Sequence, residues 1–198
     1  MKRILFAFLL LASFNSFSQE IINVVNSGFT FDLTKIKNLE VSKISRIDIY
    51  KKDVFLQTII PDDNSFFSII NNQSILEVKD LNFDNHIDIR IIKSIPFDKI
   101  SYLSWIYNHE KETFERNKEY DKITFPKFDI KKKEITSVSY GYLRDIDKNV
   151  YKVENSKLIL IERYLEKIIK PGKKSFKNWK LIDGEFKLIK EGVIPSYP

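Results

Sequence analysis

Cysteine is absent from the 198-residue chain. That excludes disulfide scaffolding, cysteine zinc sites, iron–sulfur ligation, thiol catalysis and a lipoprotein cysteine anchor. Histidine is nearly as scarce: His86 and His109 leave almost nothing for a multi-histidine metal site or a Ser-His-Asp triad. The five glycines form neither a GxGxxG fingerprint nor a P-loop, so most nucleotide chemistry is excluded as well. Alanine occurs only at Ala7 and Ala12. The rest of the chain therefore lacks the strongest helix former and is rich in Ile, Phe, Tyr and Val, which favour strands.

What is present is a packed globular composition, 43% hydrophobic and 30% charged, of a length suited to one domain. Met1-Lys2-Arg3 makes a positive start, and Ile4 to Phe14 is an apolar run. Ser16-Phe17-Ser18 offers small residues before a cut, so residues 1–18 read as a secretory signal helix removed after Ser18. The run is only about half of the roughly 20 residues a membrane span needs, so no transmembrane anchor is expected after cleavage. Residues 19–198 are then a single all-β domain, secreted or periplasmic, with 31 cationic residues against 27 acidic ones.

The body reads as a series of antiparallel hairpins. Ile47 and Ile49 share one face of the alternating stretch Ile44–Tyr50, and Val54–Ile60 returns the chain. Ile75–Val78 and Ile87–Ile92 flank an acidic loop. Tyr102–Tyr107 and Thr113–Arg116 form another hairpin, and Ile135–Tyr140 a further strand. Tyr151–Ile161 aligns without gaps on Trp179–Ile189, with Asn155-Ser156 and Asp183-Gly184 at the same turn position. The match is either a true repeat or two solutions to one turn problem. Gln19–Asn26 reads as a loose arm, Ser65–Ile70 as a short helical turn and Tyr164–Lys170 as a helical extension. The strand spacing predicts a propeller-like, barrel or sandwich architecture. Ile47, Ile49, Phe83, Ile89, Ile91, Trp105, Tyr107, Leu158 and Leu160 are the expected core.

One segment carries a specific chemical pattern. Asp80, Asn82, Asp84 and Asp88 occupy positions 1, 3, 5 and 9 of a calcium-type loop. Alternate residues of a tight loop converge their oxygens on one point, and His86 at position 7 supplies its main-chain carbonyl. Position 6 ordinarily takes Gly; Asn85, tolerant of left-handed backbone, stands there. Ile91 replaces the bidentate Glu of an EF-hand, and the residues after Asp88 read as a strand. The expected site is a strand–loop–strand calcium site with Asp80, Asn82, Asp84, His86 and Asp88 as metal ligands.

Other clusters have plainer readings. Asp145-Ile146-Asp147-Lys148-Asn149 has the first three spacings but no oxygen at position 9, and reads as a loop between strands. Lys131–Lys133 reads as a solvated loop, as charge runs usually are. Lys167, Lys170, Lys173, Lys174, Lys177 and Lys180, with Phe176 and Trp179 between them, read as a solvated face or as a contact for an anionic glycan or lipid rather than nucleic acid. Glu110, Glu112 and Glu115 have no accompanying cleft pattern for glycoside hydrolysis.

The loop and the Ile89-Arg90-Ile91 after it resemble an FG-GAP-like calcium loop of the form DxNxDGxxDIRI. Five blocks then follow in order: Trp105–Asn108, Phe114–Asn117, Phe125–Asp129, Ile135–Ser137, and Tyr151–Val153 with Lys157–Glu162. Their order is similar to a family of secreted bacterial β-proteins that includes periplasmic lysozyme-inhibitor and effector-immunity proteins. The resemblance runs from Ile75 to Glu162. It implies a calcium-stabilised, propeller-like all-β fold with the loop residues above as ligands. Asn85 departs from the family Gly, the hairpin at Asp183-Gly184 lies beyond the matched stretch, and no inhibitory key residue carries over.

The functional expectation is a non-enzymatic, exported calcium-binding domain that binds and blocks a peptidoglycan hydrolase. The alternative is a surface or periplasmic binding module for glycan or lipid. Intact mass of the exported protein is expected to place Gln19, or its cyclised form, at the N-terminus. A mature product retaining Lys2 and Arg3 would rule the cleavage out.

Overall fold

The computed structural model describes residues 18–37, 42–62, 66–67, 75–94, 100–141 and 145–196. The expected signal helix lies outside the described residues. The described chain is all-β, and its helical segment is one 3-10 turn, Lys118–Lys122. Three antiparallel sheets form in chain order. The first contains β1 (Ser18–Asn26), β2 (Phe29–Lys37), β3 (Ser42–Lys51) and β4 (Val54–Ile59), with the short β5 (Phe66–Phe67) beside β3. The second is β6 (Leu76–Lys79), β7 (Asp88–Ser94), β8 (Ser101–Asn108) and β9 (Thr113–Arg116). The third is β10 (Lys127–Asp129), β11 (Glu134–Tyr140), β12 (Ile146–Glu154), β13 (Lys157–Lys170), β14 (Lys173–Ile182) and β15 (Glu185–Pro195). Apart from β5, neighbours in sequence are neighbours in each sheet, and among the described residues none of the sheets closes into a barrel.

Local chemistry explains the hairpins. Ser27-Gly28, Lys52-Asp53, Asn155-Ser156 and Asp183-Gly184 each have positive φ at both turn positions. Two consecutive left-handed residues match the right-handed strand twist, which is why Asn, Asp and Gly recur there. The two aligned hairpins share more than a turn. Each carries a β-bulge at the equivalent residue, Ile161 in β13 and Ile189 in β15.

The layers stack in a sandwich-like way with the second sheet in the middle. Phe31, Leu33, Ile47 and Ile49 of the first sheet pack with Ile89, Ile91, Leu103, Trp105 and Tyr107 of the second. On the other side Ile106 joins Leu81, Phe83, Tyr120, Ile123, Ile135 and Val153 in a second core. Residues 103–107 of β8 are therefore buried in succession, the pattern of a strand covered on both faces. Gln57 ties the first sheet to β9: the Phe114 amide donates to Gln57 Oε1 (2.6 Å), and Gln57 Nε2 donates to the Phe114 carbonyl (3.1 Å).

The expected core residues are buried, except that Leu158 and Leu160 are half-buried. Three expectations fail. Gln19–Asn26 is not an arm but most of β1, because Ile22 and Val24 pack on the core while β2 supplies a full ladder. Tyr164–Lys170 is not helical; it continues β13, held by β12 on one side and β14 on the other. Ile146–Asn149 is strand rather than loop. Of Ser65–Ile70, Phe66–Phe67 form β5 and the others lie outside the described residues.

One carboxylate joins the acidic loop to the middle sheet. Asp88, fully buried at the start of β7, accepts the Leu81 amide at Oδ2 (2.7 Å) and the Tyr107 amide at Oδ1 (2.9 Å). Asp88→Ala leaves both buried donors unpaired and is expected to lower the unfolding free energy by about 2–4 kcal/mol. Asp88→Asn is expected not to restore it, because its NH2 group would face an N–H. Urea unfolding of the three proteins checks both statements.

Candidate functional site

The acidic loop spans residues 80–87 between β6 and β7. Leu81 and Phe83 turn inward to the second core, so Asp80, Asn82 and Asp84 are carried on the opposite side. Asn85 adopts φ +70°, as its side chain permits. Phe83 adopts φ +62°, an uncommon conformation for a bulky residue, held by its burial and by an edge contact with Phe128. Asp80 organises the turn. Its Oδ1 accepts the amides of Phe83 (2.6 Å) and Asp84 (3.2 Å), and its Oδ2 accepts that of Asn85 (2.9 Å). Asn82 Oδ1 accepts the Asp84 amide (3.2 Å), and Asp84 Oδ1 accepts the His86 amide (2.8 Å). Asn82 Nδ2 donates to Asp84 Oδ2 (2.7 Å) and across to Ser156 Oγ in the β12–β13 turn (2.9 Å).

Burial pushes the Asp88 carboxyl up to about 7, against the lowering effect of its two backbone donors; Asp84 and Asp80 add to the rise. Burial also raises the Tyr120 phenol, with Asp88 the next cause. Three carboxylates thus crowd one another within a short loop. Among the described residues no group of three His, Asp or Glu side chains forms a ready metal cage. The oxygens are turned mostly to backbone amides; Asp80 Oδ1 accepts two of them, while the other carboxylate oxygens keep a second lone pair. By chemistry the set fits a hard cation: three carboxylates, an amide oxygen and the His86 carbonyl are the donors calcium takes.

Beside the loop lies an open cleft of about 310 Å³, lined by Asp84, Tyr107, Asn108, His109, Arg116 and Ser156 among others. The His86 and His109 rings stack at 5.0 Å, bringing the acidic loop against the β8–β9 turn. Arg116 forks onto Asp121 and donates to the Ser104 carbonyl, and Asn117 Nδ2 reaches the Ser156 carbonyl (3.3 Å). Nothing in the spacing of the sequence announced Ser156, Asn117 or Arg116 as neighbours of the loop; only the fold brings them there.

Two glutamates of this end are held by lysines. Glu112 pairs with Lys51 (2.5 Å) and Glu115 with Lys111 (2.8 Å), and both carboxyls are held below their ordinary values by those hydrogen bonds. A general acid for glycoside hydrolysis needs the opposite shift. The second Asp-rich pattern is structural. Asp145 Oδ1 accepts the Ile168 amide (3.0 Å), and Asp147 forks onto Arg163 of β13. The basic stretch lies on β13, β14 and the turn between them, with Lys174 on Glu166 (2.6 Å), Lys177 on Glu191 (3.3 Å) and Lys180 on Glu162 (3.7 Å).

No family model matches the chain, and no curated protein matches it. Among solved structures, a type IV secretion system related protein from Xanthomonas is similar in fold, with a TM-score of 0.53, 19% identity and 85% of each chain covered. A hypothetical selenium-binding protein from Sulfolobus tokodaii, with a TM-score of 0.39 and 10% identity over 85% of this chain and 52% of its own, is too distant to carry an argument. The described chain thus shares an all-β fold with a protein related to a bacterial secretion system.

Proposed function

We propose that the protein is an exported bacterial calcium-binding β domain that acts without catalysis, by binding and inhibiting a peptidoglycan hydrolase. The observation that carries this reading is the locking of three loops at one end of the molecule. The acidic loop, the β8–β9 turn and the β12–β13 turn are tied by the Asn82–Ser156 bond and the His86–His109 stack. A blocking surface needs such pre-ordered loops, because ordering them on contact costs affinity. Calcium would be held by Asp80, Asn82, Asp84 and Asp88 with the His86 carbonyl, and would relieve the repulsion between the carboxylates. The fold shared with a Xanthomonas secretion-system related protein and the leader-like N-terminus support an exported setting.

Charge placement supports a partner of either sign at this end. Residues 157–198 contain ten cationic and five acidic side chains, whereas 19–156 contain 21 and 22. The excess positive charge therefore sits on the last three strands, away from the acidic loop. A basic hydrolase would meet no general repulsion there.

Two measurements test the proposal separately. A calcium ion that binds the folded state alone adds roughly 2.7 kcal/mol when its concentration is 100-fold above Kd. Chelation is expected to lower the melting temperature, and Asp84→Ala to abolish the difference. Superimposable melts with chelator and calcium would remove the cation from the proposal.

The purified protein is also expected to inhibit at least one member of a panel of peptidoglycan hydrolases, read by clearing of cell walls. Clearing by the protein alone would show an enzyme. Failure against the whole panel, with specific retention on a glycan or lipid, would favour the binding module.

A further inference from the structure

One side of the third sheet carries apolar groups beyond the core that covers its first part. Val153 and Leu158 share that side and pack in the second core. Across β14 and β15 it continues as Leu181 beside Phe186, Trp179 beside Leu188, and Ser175 beside Val193. Phe186, Leu188 and Val193 are 44%, 46% and 57% exposed.

The cations on this side of β13–β15 fall into two groups. Arg163 meets Asp147 (2.8 Å) and Lys177 meets Glu191 (3.3 Å). Lys167, Lys170 and Lys173 register on the same side, at the end of the hairpin that carries the Pro171-Gly172 turn. All three are exposed, and among the described residues none has an ion pair. Lys170 stands directly opposite Lys173 across the two strands. Like charges so placed destabilise a strand pair, and an anion lying against both would remove that cost. Asp145, just before β12, accepts the Ile168 amide (3.0 Å) and pairs with none of the three. On the opposite side of β14 and β15, Lys174, Lys180 and Lys187 each meet a carboxylate (2.6, 3.7 and 3.7 Å), and Lys190 lies over the Phe176 ring (5.8 Å). Cationic charge without a carboxylate is therefore concentrated beside the apolar strip.

An occupant has to satisfy both features. A nucleic acid or an acidic glycan would meet the lysines and leave the strip wet. A second copy would cover the strip but bring no free carboxylate, because Asp147 and Glu191 on its matching side are already paired. Binding at a membrane surface grows with buried apolar area and with attraction between cations and anionic lipid, so it uses both. Lipid phosphates would meet Lys167, Lys170 and Lys173, and the acyl boundary would take Phe186, Leu188 and Val193. The half-buried Trp179 would lie at the level indole rings prefer.

We propose that this side of β13–β15 docks on an anionic membrane surface, with Lys167, Lys170 and Lys173 on the headgroups and Trp179, Phe186, Leu188 and Val193 against the lipid. The lysine end of β13 lies at the opposite end of that strand from the turn at Ser156, which touches the acidic loop. The contact is independent of calcium and of hydrolase binding.

Cosedimentation with phospholipid vesicles tests this on the exported protein. Vesicles of equal parts phosphatidylglycerol and phosphatidylcholine are expected to carry the protein down, and phosphatidylcholine alone to leave it in solution. High salt is expected to weaken binding, whereas a calcium chelator is expected to leave it unchanged. Lys167→Gln with Lys170→Gln and Lys173→Gln is expected to weaken it about 100-fold, at about a unit of binding energy per lysine. Lys148→Gln with Lys187→Gln and Lys190→Gln removes the same charge from the other side and is expected to change it little. Phe186→Ser with Val193→Ser is expected to weaken it at least about 10-fold. The substituted positions are exposed, so an unchanged melting temperature confirms that each variant folds. Emission from Trp179 is expected to shift to shorter wavelength on the anionic vesicles, and the shift to vanish in Trp179→Phe. A protein that stays in solution with anionic vesicles overturns the proposal. So does vesicle binding that ignores the first lysine triple, a dimer formed through Phe186 and Leu188, or retention on an acidic polysaccharide that survives the serine pair and displaces the vesicles.

Discussion

The Asp88 carboxylate holds together parts that would otherwise be separate. It begins β7, reaches back to the second residue of the acidic loop and forward to the amide of Tyr107 in β8. A buried carboxylate without partners is costly. Two amide donors offset part of that cost, and burial still pushes its ionisation up to about 7. The loop geometry, the burial of Leu81 and Phe83, and the seating of β8 between two cores all depend on this one group being satisfied. A cation among Asp80, Asp84 and Asp88 would offset the remainder, so binding and folding would be one equilibrium.

β8 shows why the layers follow from the sequence. Trp105 and Tyr107 face the first sheet, and Ile106 between them faces the third. Ser104, beside them, is buried as well, and its carbonyl is met by Arg116 and by the Asn117 amide. A strand wet on one face would alternate; this one is apolar or satisfied on both. The two aromatic residues were legible as core because they occur in an alternating run. That a second core lay behind Ile106 was not legible, since its members come from five separate segments and share no local pattern.

Legibility elsewhere tracked the strength of local signals. β9 and the turns at Asn155-Ser156 and Asp183-Gly184 were clear, because alternation and turn chemistry agreed. β2 went unread although Phe29, Phe31 and Leu33 alternate after Ser27-Gly28, and without β2 its partner β1 looked like an arm. Tyr164–Lys170 has helix-tolerant residues, but its pairing with both β12 and β14 overrode propensity, as tertiary context commonly does. For the candidate site, spacing located Asp80, Asn82, Asp84, His86 and Asp88. It did not reveal that Asp88 is the most buried of them, nor that Ser156 and His109 close on the loop from sequence-distant turns.

The bulges at Ile161 and Ile189 do more than bend their strands. A strand has a period of two, so one inserted residue sends every later side chain to the other face. In β13, Leu158 and Leu160 face the core side. Without the bulge Glu162 would follow them there; with it Glu162 turns away to meet Lys180 and Asn178. In β15, Phe186 and Leu188 hold the same side, and the bulge sends Lys190 away over Phe176 while Glu191 and Val193 follow on that side. Each insertion therefore exchanges the charged residue that follows the apolar pair: Arg163 in place of Glu162, and Glu191 in place of Lys190. Both newcomers meet an opposite charge on the neighbouring strand, Arg163 on Asp147 and Glu191 on Lys177, so the charge that each bulge brings to this side of the sheet arrives already paired.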